Sequence, residues 1–157
     1  PRLFAKALGK EEAAEQVIAQ VESRIAEVAA LVEARIPEAQ RDATLVRWMP
    51  QGPLVMAEGL FSASILQAVG FRIDDNDLVK EGRPHSEPLS LENLSSMDQS
   101  DKALEAARQS PAFARLDAVE HDRVITVSGQ LWTSATGPLA VLAILDDIEA
   151  AVTAIQL

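Results

Sequence analysis

The sequence has 157 residues, enough for one domain with a buried core. Its composition, 48% hydrophobic and 24% charged, is that of a globular domain. Acidic residues outnumber basic ones by 24 to 14, and the net charge of −10 disfavours a nucleic-acid partner. A small anionic ligand is not excluded, because one arginine can dominate the potential of a cleft. Since there is no cysteine, disulfides, thiolate metal sites and cysteine nucleophiles are excluded.

The first half of the chain predicts a long helix, two short strands and a second helix. Residues 10–36 carry apolar side chains at steps of three and four, and Pro37 ends this pattern. Apolar and β-branched runs predict strands at 43–49 and 54–57. Residues 61–70 predict a helix that ends at a glycine. The apolar stripe of the long helix consists of Ala14, Ile18, Val21, Ile25, Val28 and Val32.

The second half predicts a polar loop, two helices and a strand. Residues 72–89 are polar and rich in turn formers, and Ser90 is placed to cap a short helix. Residues 101–116 predict a helix that breaks near Pro111. The β-branched run "RVITV" predicts a strand at 123–127.

The last helix follows a loop of Gly, Ser and Thr that contains Trp132. Pro138 suits the first turn of this helix. Its apolar face comprises Val141, Ile144, Leu145, Ile148, Val152 and Ile155, and we expect three acids to face the solvent: Asp146, Asp147 and Glu149. Strands that alternate with helices predict an α/β layer fold with a small sheet.

Reactive side chains are scarce. The two histidines, His85 and His121, lie far apart in predicted loops, so we predict no metal site and read both as solvated. There is no GxSxG elbow, no P-loop, no GxGxxG and no tyrosine. The sequence therefore argues against an enzyme.

Three stretches resemble a known family in sequential order. The stretch "SPAFARLDAVEHDRVITVSGQLWTSATGPLAVLAILDDIEAAV" resembles the C-terminal end of the substrate-binding proteins of ABC importers for ferric siderophores, whose relatives bind haem and cobalamin. "ALGKEEAAEQVIAQVESRIAEV" and "SLENL" resemble two earlier helices of the same lobe. The residues that match the C-terminal pattern are Leu116, Ala118, Val119, Arg123, Val124, Trp132, Gly137 and Pro138.

The resemblance implies a particular architecture. The family has two α/β lobes joined by a rigid helix, with the ligand in the cleft between them. This chain resembles the C-terminal lobe alone, a Rossmann-like layered lobe with a small, mainly parallel sheet flanked by helices. Residues 1–36 would be the end of the interlobe connection and the first helix of the lobe, and residues 37–157 the C-terminal lobe. The N-terminal lobe is absent from the sequence.

One stretch departs from the family pattern. After "SLENL" the family usually has an apolar strand, whereas "SSMDQSDKAL" continues into the next helix without one. We therefore expect a strand to be missing near residues 98–101.

Five residues are candidates for ligand contact. In the family, the loop that holds Trp132 lies at the cleft, although a tryptophan there could instead pack on the core and pin the last helix. Family members often hold the chelate with arginines, which points to Arg47, with a surface ion pair as the alternative. Trp48 is its neighbour, and because strand residues alternate between faces, at most one of the two points into the cleft. Met49 and Phe61 are weaker candidates.

Glu92 is a candidate for docking to the importer. It lies in the first turn of its predicted helix, where any glutamate would complement the helix dipole. In the family, one exposed glutamate in each lobe docks onto arginines of the membrane permease.

The resemblance implies an exported protein that captures a ferric siderophore and delivers it to an ABC importer for iron uptake, with no cofactor and no chemistry of its own. Its partners would be the siderophore and the permease dimer, and it would be periplasmic or a cell-surface lipoprotein. Two alternatives stay open: a stand-alone interaction lobe without ligand binding, and a binding protein for cobalamin, haem or another chelate. A small α/β enzyme is the least supported alternative.

Overall fold

The structure is a computed structural model that describes residues 2–49, 52–75, 77–88, 117–121 and 123–155. The chain forms two compact units. The helical unit comprises Pro1–Asp42, Phe61–Arg72 and Val127–Leu157, and the hairpin unit comprises Ala43–Leu60 and Ile73–Thr126. This division differs from the predicted boundary at residue 37, which concerns the family's lobes and stays a prediction.

Three helices form the first two segments of the helical unit. Helix α1 (Arg2–Leu8) precedes α2 (Glu11–Arg35), which has acids in its first turn, where the helix dipole favours them. Helix α2 ends where the amide of Ile36 donates to the carbonyl of Val32 at 2.8 Å, just before Pro37. Helix α3 (Phe61–Ala68) supplies a third buried face.

The chain ends in two helices of the same unit. Helix α5 (Gly129–Ser134) begins at Ser128, whose Oγ accepts from the amide of Leu131. Helix α6 (Pro138–Ala154) follows Gly137 and has its proline in the first turn, as predicted. Helix α6 packs against α2, α3 and α5. The buried apolar side chains of these helices include Val28, Val32, Ala63, Ile65, Leu66, Ile144, Leu145, Ile148 and Val152.

An antiparallel hairpin organises the hairpin unit. Strands β2 (Val46–Met49) and β3 (Gly52–Val55) pair in the register Val46↔Val55 to Met49↔Gly52. A third segment, residues 84–86, extends the ladder on the other edge of β3. The amide of Ser86 donates to the carbonyl of Val55 at 2.8 Å, and Met56 and His85 form an antiparallel bridge.

A second, very short strand pair joins β1 (Asp42–Ala43) to β4 (Arg72–Ile73). The amide of Arg72 donates to the carbonyl of Arg41 at 2.8 Å, and that of Asp74 donates to Ala43 at 3.0 Å. The residue numbers of donor and acceptor rise together, which is the pattern of a parallel pair. The α/β class with a small sheet flanked by helices is confirmed, and the two described strand pairs are one parallel and one antiparallel.

Several predicted elements shift. The strand predicted over 43–49 is interrupted, since β1 ends at Ala43 and β2 begins at Val46. The loop predicted over 72–89 contains β4 and the ladder segment 84–86. The predicted loop around Trp132 is the short helix α5.

The strand predicted at 123–127 is wrong. Residues 123–128 have no strand pairing, and a short helix, α4 (Asp117–Glu120), precedes them. β-Branched residues fit a pleated surface, but a strand also needs a hydrogen-bonded neighbour. The predicted helices after Ser90 and over 101–116, and the strand expected to be missing near 98–101, lie outside the described residues.

No helix in the described part of the chain is long and apolar enough to cross a membrane.

Candidate ligand-binding site

The hairpin separates the first two candidate residues. Arg47 lies opposite Leu54, and Trp48 lies opposite Pro53, in consecutive positions of β2. Consecutive strand residues point to opposite faces, so Arg47 and Met49 share one face and Trp48 lies on the other. A ligand that lies on one face of β2 can therefore contact Arg47 or Trp48 but not both, as the alternation of strand residues predicts.

The guanidinium of Arg47 is accessible. The residue is exposed, and its side chain makes no hydrogen bond or ion pair with any residue that the structure describes. The surface ion pair weighed as an alternative is thus not formed within the described part of the chain. A guanidinium has five N–H donors for an oxygen-rich ligand, and no described residue occupies those of Arg47.

Trp48 and the two weaker candidates, Met49 and Phe61, are half-buried. Trp48 and Met49 are both partly covered in β2, and Phe61 is partly covered as the first residue of α3. Phe61 belongs to the helical unit, whereas Arg47, Trp48 and Met49 belong to the hairpin unit. Their contact with a ligand stays a prediction.

Trp132 packs on the core and contacts the last helix, which is the alternative to a ligand contact given above. The side chain is only 8% exposed, and the indole Nε1 donates to Oδ2 of Asp147 at 2.8 Å. This bond joins α5 to α6, so the tryptophan pins the last helix. Contact of Trp132 with a ligand stays a prediction.

Asp147 was misassigned from the sequence. It was expected to face the solvent with Asp146 and Glu149, but it is half-buried and accepts from the indole. The available signal was chemical rather than periodic, because a buried tryptophan needs an acceptor for its N–H.

His85 and Ser86 were also missed. We read His85 as a solvated loop residue, but it is half-buried in the ladder beside Met56. Ser86 is buried, and its Oγ accepts from the amide of Val55 at 3.0 Å while donating to the carbonyl of Glu87 at 2.7 Å. No local pattern signals this pairing, because the partner strand is distant in sequence. The other histidine, His121, is exposed.

A cluster around Arg24 is a structural network rather than a ligand site. The guanidinium donates to Asp146 at 2.8 Å, to Glu149, and to Glu27 at 3.4 Å. These bonds, that to Glu149 first, raise the pKa of Arg24 above its ordinary value. The open groove beside it is lined by both α2 and α6, but its cation is already neutralised. Among the described residues, no three His, Asp or Glu side chains come together in a metal-binding group.

Comparison with known proteins places the chain in a family. A family model described as "Periplasmic binding protein" matches residues 2–131, which is most of the sequence. The chain belongs to the periplasmic binding protein family. Because this is a family of binding proteins, the match confirms the prediction that the chain is not an enzyme. No curated protein sequence matches the chain.

Solved structures show the same fold as this periplasmic binding protein. The crystal structure of Staphylococcus aureus SirA complexed with staphyloferrin B has a TM-score of 0.75 and 20% identity. That match covers 97% of this chain and 59% of the SirA chain. A second crystal structure of Staphylococcus aureus SirA matches with a TM-score of 0.76 and 22% identity. That match covers 99% of this chain and 64% of the SirA chain. The chain therefore spans about 60% of the length of these structures.

Glu92, the candidate for permease docking in this periplasmic binding protein, lies outside the described residues.

Proposed function

We propose that this chain is the C-terminal lobe of an exported substrate-binding protein that captures a ferric siderophore for an ABC importer. The observation that carries the proposal is the match of 97% of the chain to a SirA structure solved with staphyloferrin B, within a shared binding-protein family. Family membership supports a location outside the cytoplasm. A lipid anchor, docking through Glu92 and the identity of the importer are parts of the same proposal.

Arg47 supplies the chemistry that this function needs. Ferric chelates present many oxygen atoms, often with net negative charge, and an exposed guanidinium binds such oxygens with several directed, charge-assisted hydrogen bonds. Met49 on the same face offers a polarisable apolar contact. Contact of the chelate with Trp48, with Phe61 or with Trp132 stays a separate prediction for each residue.

A titration of the full-length protein tests the proposal. Ferric staphyloferrin B, ferric citrate, ferrichrome, haem and cobalamin are added in turn, with iron-free siderophores as controls, and affinity is measured by calorimetry and tryptophan fluorescence. We expect one ferric siderophore to bind saturably and Arg47→Gln to weaken it about tenfold or more, as for a lost hydrogen bond to a charged group. Arg2→Gln is the matched control, because it removes an exposed arginine of α1 that pairs with Glu15 of α2. It should leave the affinity unchanged.

Two variants separate the roles of the two indoles of this lobe. Trp48→Phe and Trp132→Phe each remove one of the two tryptophans of these 157 residues. Loss of the chelate-induced quenching in one variant but not in the other identifies the indole near the ligand. Binding of haem or cobalamin alone would replace the siderophore by another chelate. If a folded protein binds none of the probes, the chain is an interaction lobe and the proposal is wrong.

A further inference from the structure

The face of the hairpin that carries Arg47 continues onto the segment with His85. Arg47 lies opposite Leu54 in the register, and the amide of Met56 donates to the carbonyl of Leu45 at 2.9 Å, so the pairing continues to Met56. Met56 in turn bridges His85. Directly paired residues of an antiparallel ladder share a face, as do residues two apart on a strand. Arg47, Leu54, Met56 and His85 therefore lie on one face.

The spacing of the two basic side chains matches a small-molecule ligand. They lie on the two outer segments of a three-segment ladder, two strand spacings apart, and are offset by two residues along it. At about 4.8 Å for each spacing and about 3.4 Å for each residue, their Cα atoms are roughly 12 Å apart. Leu54 and Met56, each 8% exposed, lie between them on the same face of the ladder.

The two ring nitrogens of His85 differ in their partners among the described residues. Nδ1 lies 2.7 Å from the carbonyl oxygen of Ser86, and because a carbonyl can only accept, Nδ1 carries the hydrogen. No described residue bonds to Nε2. In the neutral ring Nε2 can only accept a hydrogen bond, whereas in the protonated ring it is a cationic donor.

No described charged residue near His85 bonds to Nε2. On β2 the charged residue of the same face is Arg47, and on β3 the nearest residues are apolar, with exposed Glu58 two positions beyond Met56. On its own segment, Arg83 and Glu87 pair with each other at 3.2 Å.

We propose that His85 is a second contact for the bound chelate, and that its protonated Nε2 and the guanidinium of Arg47 together hold separate anionic oxygens of one ferric chelate. This inference rests on the proposed function and adds a chemical class to it, a ferric chelate with net negative charge. Binding is then coupled to proton uptake by the protein, and affinity rises as pH falls from 8 to 5.5.

The experiment compares wild-type protein with His85→Asn and His121→Asn in the full-length protein. The amide of asparagine can replace Nδ1–H as a donor to the carbonyl of Ser86, so the variant keeps the local bond and loses only Nε2. His121 is the other histidine, it is exposed, and its variant is the matched control. Circular dichroism and thermal unfolding check that each variant is folded. A second variant, His85→Gln, covers the case in which His85→Asn does not fold.

Calorimetry with ferric staphyloferrin B, ferric citrate and ferrichrome at pH 5.5 and 8, each in two buffers of different ionisation enthalpy, gives affinity and proton uptake together. We expect the anionic chelate to bind roughly tenfold more tightly at pH 5.5 with uptake of protons. Both effects should disappear in His85→Asn and remain in His121→Asn.

Different results would overturn the role of His85 and the proposed function. Equal pH dependence in wild type and His85→Asn, or binding of neutral ferrichrome alone, overturns the role of His85 and leaves the proposed function standing. Binding of no chelate at either pH overturns both.

Discussion

The indole Nε1 of Trp132 donates to Oδ2 of Asp147 at 2.8 Å, joining two helices through a tryptophan that is 8% exposed. The bond attaches α5 to the middle of α6, so the short helix is anchored by one polar contact as well as by packing. A short helix is marginal by itself, because nucleation is costly, and depends on such tertiary contacts.

Removing this acceptor should be costly. We expect Asp147→Ala to lower the free energy of unfolding by about 1.5–3 kcal/mol, since it leaves the buried indole N–H without a partner. Urea denaturation followed by circular dichroism measures the change. Asp146→Ala is the matched control, since its exposed carboxylate pairs with Arg24, and it should cost at most about 1 kcal/mol.

A double-mutant cycle tests whether the bond itself is responsible. In a Trp132→Phe background, which lacks the indole N–H, Asp147→Ala should cost about 1 kcal/mol less than in the wild type. Equal costs in both backgrounds would show that Asp147 acts independently of the indole.

Regular helices were predictable because their signal is local. The long helix was predicted over 10–36 and runs over Glu11–Arg35, and the last helix begins at Pro138 as predicted. Asp147 was predicted wrongly because helical phase groups it with Asp146 and Glu149, whereas its environment depends on a tryptophan from another element.

Strands and site residues depend on partners that no short stretch contains. The run at 123–127 has strand composition but no described neighbour, while His85 lacks that composition and joins a ladder. The alternation of β2 showed that Arg47 and Trp48 oppose each other, but the register with β3 was needed to show which residues share the face of Arg47.

Gly137 is required by the backbone that starts α6. Its φ of 89° and ψ of 178° lie in a region that residues with a Cβ avoid. We expect Gly137→Ala to lower the free energy of unfolding by about 1–3 kcal/mol, measured by urea denaturation.

Gly129 provides the control for this substitution. It is the first residue of α5, it has no positive φ, and a Cβ there would meet nothing within 4 Å. Gly129→Ala should be neutral or stabilise the protein by up to about 1 kcal/mol, because alanine loses less conformational entropy on folding. Similar destabilisation by both changes would contradict a role for the φ of Gly137.

The ion pair between Arg72 and Asp42 should titrate in the acid range. Nε of Arg72 donates to Oδ1 of Asp42 at 2.7 Å, and this hydrogen bond lowers the pKa of Asp42 below its ordinary value. A carboxyl group with a lowered pKa in the folded state contributes stability above its unfolded pKa, and this is lost as pH falls through the folded pKa. Carbon-detected NMR of the side-chain carboxyl should show Asp42 titrating below about pH 3.9, the usual value.

Arg72→Gln should return the pKa of Asp42 towards its ordinary value. The carboxyl of Glu15 is the internal control, because its pKa is lowered by a hydrogen bond from Arg2 on another helix. In Arg72→Gln, the titration of Glu15 should stay unchanged while that of Asp42 moves upward. An Asp42 titration that does not respond to the loss of Arg72 would show that the pair is not formed in solution.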